Sequence, residues 1–137
     1  MKRFNIAITS GDPCGIGPEI IAKSLPSFRR IKDAVFFIFC SEPVIRKAGL
    51  RPQPNVIIVD CSSAGKFHLP GKPTLESAAA SFDYLKAAAA FLKKGDAQAL
   101  VTGPISKENL KKTSFSWPGH TEFLAQEFNA RRVEMVF

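Results

Sequence analysis

Apolar residues fall in short blocks separated by turn-forming residues, and the blocks alternate in character along the chain. Phe4-Asn5-Ile6-Ala7-Ile8-Thr9 predicts a first strand, followed by the turn-rich Ser10-Gly11-Asp12-Pro13-Cys14-Gly15 and a helix from about Gly17 to Leu25. Pro18 suits the first helical position, where its missing N–H costs nothing, and Glu19 lies near the positive end of the helix dipole. Asp33 to Cys40 encloses Ala34-Val35-Phe36-Phe37-Ile38-Phe39, a continuous apolar run that predicts a strand buried on both faces. A short helix over Glu42–Ala48 and a strand over Val56–Val59 follow.

Residues 60–73 are polar and contain Gly and Pro, and they predict a loop or crossover without a readable course. Thr74 then opens a long helix running to about Lys94, with Leu75, Ala78, Ala79, Phe82, Leu85, Ala89 and Leu92 recurring at helical spacing, and Gly95 ends it. Ala97–Thr102 predicts a strand, Gly103-Pro104 a turn, and Ile105–Lys112 a short helix. A loop through Trp117-Pro118-Gly119 leads into a helix near Thr121–Phe128, and Val133–Phe137 has the look of a strand. Strands alternating with helices predict an α/β layer, a mostly parallel sheet flanked by helices. No repeat, low-complexity tract or linker marks a boundary, so residues 1–137 are expected to form one unit.

Composition narrows the class. A chain of 137 residues buries roughly two thirds of its unfolded surface without disulfide or metal staples, and 45% hydrophobic residues exclude extended disorder. Cys14, Cys40 and Cys61 are odd in number and form no CxxC pair, which argues against a disulfide framework and a structural zinc site and fits a reducing cytoplasm. The basic Met1-Lys2-Arg3 precedes an apolar stretch too short for a signal peptide, and no apolar run approaches the ~18 residues of a membrane helix. The net charge of +7 is dispersed: residues 1–71 hold ten Lys/Arg against five Asp/Glu, and residues 72–137 hold nine against seven. Solvated faces or an anionic small-molecule site explain such a spread better than nucleic acid does.

Three segments could carry chemistry. Gly11-Asp12-Pro13-Cys14-Gly15-Ile16-Gly17-Pro18-Glu19 lies between a strand and a helix, where open α/β sheets bind ligands. It is neither a dinucleotide fingerprint, since Ile20 stands where a third glycine is required, nor a P-loop. The bland alternative is a tight turn whose glycines permit positive φ. Thr102-Gly103-Pro104-Ile105-Ser106-Lys107 is a second strand end feeding a helix; small residues there let backbone N–H groups approach an anion, and Lys107 adds charge. An exposed helix lysine is the commoner meaning. Trp117-Pro118-Gly119-His120-Thr121-Glu122 brings together an imidazole, a hydroxyl and a carboxylate, with Thr121 also able to serve as a helix N-cap. His68 has no evident partner, and two histidines without metal-ligand spacing do not make a metal site.

The order of these segments is more specific than any one of them. GDPCGIGPE after the first strand, ALVTGPISK after a long Ala-rich helix, and PGHTEFLA some ten residues later resemble the 4-hydroxythreonine-4-phosphate dehydrogenase family of vitamin B6 biosynthesis. The similarity runs from about residue 5 to the end of the chain but covers only the front part of the family's polypeptide. It implies an enzyme that uses NAD or NADP to oxidise the hydroxyl of 4-phosphooxy-threonine, after which carbon dioxide is lost, with a divalent metal such as zinc, magnesium or cobalt polarising the reacting oxygen. It also implies homodimers of two-domain α/β subunits related to isocitrate and isopropylmalate dehydrogenases, with the site completed by the other subunit.

The family's GHTE histidine and threonine bind substrate, and the matching residues are His120 and Thr121; Asp12, Thr102, Gly103 and Lys107 are candidates for an anion or substrate loop. The family's three metal-ligand histidines come later in its polypeptide and correspond to no residue here, so no complete catalytic set and no metal ligand is assigned. The chain is therefore expected to be an N-terminal portion of such a dehydrogenase, through an interrupted reading frame or choice of expressed segment, inactive alone and binding neither cofactor nor metal tightly. A non-catalytic binder of phosphorylated small molecules or of a partner subunit is one alternative. A β-decarboxylating dehydrogenase of the isopropylmalate type, which shares a GDGIGPE-like turn, is another, and the GHTE segment argues against it. A shortened parallel sheet would expose an edge and an apolar face.

Overall fold

The structure is a computed structural model and describes residues 3–62 and 69–134. Its elements are β1 (Phe4–Thr9), α1 (Gly17–Phe28), β2 (Ala34–Cys40), α2 (Glu42–Lys47), β3 (Val56–Asp60), α3 (Leu75–Lys93), β4 (Ala99–Thr102), α4 (Lys107–Leu110) and α5 (His120–Glu127). The four strands form one sheet of order β3-β2-β1-β4, parallel at every pairing. Because each strand reaches its parallel neighbour through a crossover, helices cover the sheet. The chain steps from β1 to β2 to β3 in one direction, then returns through α3 to set β4 on the other side of β1. That reversal covers the two faces differently. On one, α1 and α2 bring Ile21, Leu25 and Ile45 against Ile8, Phe36 and Ile38. On the other, α3 brings Tyr84 and Ala88 against Ala7 and Phe39.

β2 is buried on both faces, as its unbroken apolar run predicts. α1 extends beyond Leu25, through Pro26 to Phe28, because the Phe28 ring stacks on Phe36 at 4.7 Å and anchors the last turn. α3 is buried over a wider face than the sequence predicts. It packs on the sheet along one side and, through Ala78, Phe82, Leu85 and Ala89, on Leu110, Phe115 and Phe123 along another. Sandwiching explains why Ser77, Ser81 and Tyr84 are buried although they break the apolar spacing, while Leu75, predicted to face the core, is 47% exposed on the first turn.

Thr74 caps α3 in a capping box: its hydroxyl accepts from the Ser77 N–H at 3.1 Å, and the Ser77 hydroxyl accepts from the Thr74 N–H at 2.9 Å. α4 is a single turn rather than the predicted Ile105–Lys112, since Thr113 closes it by donating its hydroxyl to the Leu110 carbonyl. Val133 and Glu134 are not in a strand, and the remainder of that predicted segment lies outside the described residues, as does His68.

Candidate functional site

Strand order reverses between β1 and β4, so the loops leaving these two strands emerge side by side, where open α/β sheets place their ligand crevice. Thr9 and Thr102 are register partners at the last rung. Beyond that rung the loops stay locked together: the Gly103 N–H donates to the Thr9 carbonyl at 2.8 Å, and the Asp12 N–H donates to the Pro104 carbonyl at 3.0 Å. Their glycines are explained by this closeness. A Cβ at Gly103 would stand 2.5 Å from the Ser10 carbonyl carbon, one at Gly11 would strike the Pro104 carbonyl oxygen, and one at Gly17 would strike the Ser10 carbonyl oxygen. Gly11 also has φ +72°, the left-handed region that a side chain rarely adopts. The first segment is thus a tight turn packed against the second, the space a Cβ would take at Gly11 and Gly17 being filled by neighbouring backbone.

Asp12 is buried within this junction and shapes the turn, its Oδ1 accepting the Cys14 N–H at 2.8 Å. Its Oδ2 is buried with no hydrogen-bond partner. The crossover before α3 seals the far side, the Gly71 N–H donating to the Cys14 carbonyl at 2.7 Å. Burial pushes the Cys14 thiol above its ordinary pKa, which suits an inert packed sulfur rather than a nucleophile.

The second junction lies further along. Lys107 is the exposed first residue of α4, and His120 is the half-buried first residue of α5. Burial holds the His120 imidazole below the usual histidine range, and the nearby Lys107 ammonium lowers it further. The structure therefore brings the second and third segments together electrostatically. No hydrogen bond or ion pair among the described residues joins His120 to Asp12 or Thr102. α5 starts one residue earlier than predicted: Gly119, in extended backbone, is the N-cap, and the Phe123 N–H donates to its carbonyl at 3.3 Å. Thr121 therefore sits within the first turn instead of capping it, and no side-chain hydrogen bond caps this end. The first N–H groups of α5, carried by His120, Thr121 and Glu122, are those a helix leaves without intrahelical acceptors.

What fixes α5 is an aromatic cluster that the sequence reading did not assemble, although Phe115, Trp117 and Phe123 bracket the histidine. Phe82 of α3 meets Phe115 edge-on at 5.0 Å and Phe123 at 5.3 Å, and Trp117 meets Phe123 at 5.0 Å. The Trp117 indole N–H donates to Gln126 Oε1 at 2.7 Å, and Lys93 reaches Glu127 at 2.8 Å. The latter pair is half exposed and contributes little.

Among the described residues no group of three or more His, Cys, Asp or Glu side chains could hold a metal ion. No helix among them is long and apolar enough to cross a membrane. A cleft of about 210 Å³ lined by Glu42, Arg46, Leu50, Arg51 and Gln53 lies at the opposite sheet edge, beside β3.

A parallel sheet whose motif loops leave adjacent strands at the reversal of strand order defines an open α/β ligand-binding layer. Within that class the matches are specific. The chain belongs to the family of the pyridoxal phosphate biosynthetic protein PdxA, whose model matches residues 26–137. It is 36% identical over 135 residues to the 4-hydroxythreonine-4-phosphate dehydrogenase of Zymomonas mobilis, covering 88% of this chain and 40% of that protein. It is 34% identical over 151 residues to the D-threonate 4-phosphate dehydrogenase of Pectobacterium atrosepticum, covering 96% of this chain and 46% of that one. The crystal structure of a 4-hydroxythreonine-4-phosphate dehydrogenase from Burkholderia phymatum shares the fold, with a TM-score of 0.80 at 22% identity over 96% of this chain and 46% of that chain. The chain spans about two fifths of the length of the curated relatives it matches.

Proposed function

We propose that this chain forms one wall of the substrate site of an NAD(P)-dependent dehydrogenase acting on a phosphorylated, hydroxylated four-carbon acid, with 4-phosphooxy-threonine as the preferred substrate. His120, Thr121 and Lys107 contact the substrate phosphate, and the Asp12, Thr102 and Gly103 junction holds these loops at the strand ends. The observation that carries this reading is the packing together of α4, which Lys107 begins, and α5, which His120 begins without a side-chain cap, close enough for the Lys107 charge to be felt at His120. A cation, a ring that can donate one hydrogen bond while neutral, and free helix N–H groups together match a phosphate. Glu122 in the same turn is of the wrong sign and carries its carboxylate beside Gly119 at the start of the helix, so it must swing away for the anion to bind.

Oxidation of the hydroxyl by NAD(P), followed by loss of carbon dioxide, is the reaction that family membership supports. The described residues offer no metal-binding group, so no step through a metal is assigned to this chain. Its own role is binding and orientation, within cytoplasmic homodimers of isocitrate dehydrogenase-like subunits. A second reading takes D-threonate 4-phosphate as substrate, favoured by the Pectobacterium relative's name; it differs in the group beside the reacting hydroxyl and leaves the phosphate contacts unchanged.

The test is calorimetric titration of the chain with 4-phosphooxy-threonine, D-threonate 4-phosphate and inorganic phosphate. Binding in the range of about 0.1–1 mM, weakened roughly tenfold by either His120→Ala or Lys107→Ala, is expected. No binding at millimolar ligand, or affinity indifferent to both substitutions, refutes the proposal. The same chain given NAD, substrate and zinc or magnesium is expected to show no turnover.

A further inference from the structure

We propose that the cleft between α2 and β3 is a second ligand site, separate from the junction of Lys107 and His120, and that it takes a small apolar α-amino acid. The cleft follows from how the sheet ends. Val56 and Ile58 of β3 are register partners of Phe36 and Ile38, which pack under α1 and α2, yet both remain only partly buried because the helix layer stops at α2. The connection from α2 to β3 closes over this gap. About 210 Å³ is left, with Leu50, Val56 and Ile58 as its apolar lining and Glu42, Arg46, Arg51 and Gln53 as its polar lining. Sites for drug-sized molecules run to roughly 300–1,000 Å³, so this one excludes a dinucleotide and suits a smaller metabolite.

The walls are held in place by the fold. Asn55 pins the connection by donating from Nδ2 to the Phe28 and Ile31 carbonyls at 2.9 and 3.1 Å, and the Val56 N–H donates to the Gln53 carbonyl at 3.2 Å. Pro52 and Pro54 restrict two further φ angles, while the buried Ile45 and Leu50 anchor α2 and the start of the connection. A site built this way loses little freedom when a ligand enters.

Its polar groups are unequally satisfied, and the imbalance defines the ligand. Arg46 is already engaged, its Nε and Nη2 donating to Glu42 Oε1 at 3.2 and 3.1 Å. Arg51 has no hydrogen bond or ion pair with a described residue, so its guanidinium is the charge left to grip a carboxylate through two N–H groups. Gln53 Oε1 is buried and has no donor among the described residues. The residue as a whole is only partly buried, so turning its carboxamide toward the cleft lets a ligand N–H meet it. Glu42 meets Arg46 through Oε1 alone, which leaves Oε2 as a second acceptor for a cationic donor. An ammonium and a carboxylate on one carbon, with an aliphatic chain for Leu50, Val56 and Ile58, satisfy this set together. A bare anion would leave Gln53 unmet, and a bare amine would face the unpaired Arg51 charge.

The test follows backbone amide resonances of the whole chain while leucine is added as the probe. Saturable shifts confined to residues 42–58 are expected, with a dissociation constant of about 1 mM. Two analogues divide the recognition: 4-methylpentanoate lacks the ammonium and 3-methylbutylamine lacks the carboxylate, and each is expected to bind at least roughly tenfold more weakly. Arg51→Gln and Gln53→Leu are each expected to weaken leucine by a similar factor. Arg51 is exposed, so its variant should keep the melting temperature of the parent. No saturable shift at about 20 mM leucine overturns the proposal. So does either analogue binding as tightly as leucine, or an affinity indifferent to Arg51→Gln or to Gln53→Leu. Shifts centred on residues 107 and 120–122 instead would place leucine at the other junction and overturn it as well.

Discussion

Replacing Gly103 by alanine tests the junction on which the first part of the candidate site depends. The added Cβ would stand 2.5 Å from the Ser10 carbonyl carbon, 2.6 Å from its oxygen and 2.7 Å from the Thr9 oxygen, whereas ordinary contact begins at 3.4 Å. All three obstacles are backbone, so no rotamer change relieves the clash, and the two loops must separate by about 1 Å. That separation strains the Gly103-to-Thr9 and Asp12-to-Pro104 hydrogen bonds, 2.8 and 3.0 Å long. Overpacking costs about 1–3 kcal/mol and weakening one buried hydrogen bond about 1 kcal/mol, so a loss near 3 kcal/mol is expected. For 137 residues the unfolding entropy is about 0.3 kcal/mol/K, which converts this loss into a fall in Tm of about 10 °C. Thermal unfolding followed by circular dichroism reads it directly. Gly119→Ala is the control, because its Cβ would meet only the Glu122 carboxylate at 3.4 Å in extended backbone. A Gly103→Ala chain melting within about 2 °C of the parent would show that the loops are not locked together and would remove the packing explanation for these glycines.

Three further outcomes are expected. In an NMR titration His120 ionises below the usual histidine range, and Lys107→Ala raises its midpoint without fully restoring it, since burial is the larger cause; a midpoint at or above the free-histidine value counts against the described surroundings. Because folding depresses this pKa, its contribution to stability is whole above the ordinary histidine value and is lost as pH falls through the depressed one. Phe123→Ala empties the centre of the aromatic cluster, where Phe123 is 3% exposed, and is expected to cost about 3–5 kcal/mol in denaturant unfolding; a cost below 1 kcal/mol would mean that α5 is held by something else. A thiol reagent applied to the native chain modifies Cys61 first, whereas Cys14 and Cys40, each 1% exposed, wait for unfolding; equal rates at all three would contradict their burial.

Local pattern made the strands legible: β1 and β2 emerge almost residue for residue because an apolar run bounded by turn residues has few other uses. What the pattern did not show is set by distant partners. Tyr84 and Ser81 are buried because α3 is covered on two sides, and helical spacing alone cannot reveal a second covering layer. The start of α5 shifted by one residue because Gly119 adopts extended backbone, a choice that Thr121 as a capping type could not overrule. The GDPCGIG turn was equally compatible with a ligand cradle and with tight packing. The packing comes from the pairing of Thr9 with Thr102, 93 positions apart, which lays Pro104 across Gly11 and has no local signature in the sequence.

The two junctions are consequently held by different layers, and they carry different weight. Asp12, Thr102 and Gly103 are fixed by the parallel ladder and by backbone contact between two loops, so these residues are required by the fold whether or not a ligand binds. Lys107 and His120 begin two short helices whose packing runs through Phe82, Leu110, Phe115 and Phe123, a layer outside the sheet, and the Lys107 charge is felt at His120. A cation that lowers a neighbouring imidazole's affinity for protons is an electrostatic conflict that packing alone does not require. An anion placed between them would relieve it, because negative charge stabilises the ammonium and the imidazolium together. Binding of a phosphate would then draw a proton onto His120. The functional reading therefore rests more securely on Lys107 and His120 than on the glycine-rich turn, although the turn was the more conspicuous motif.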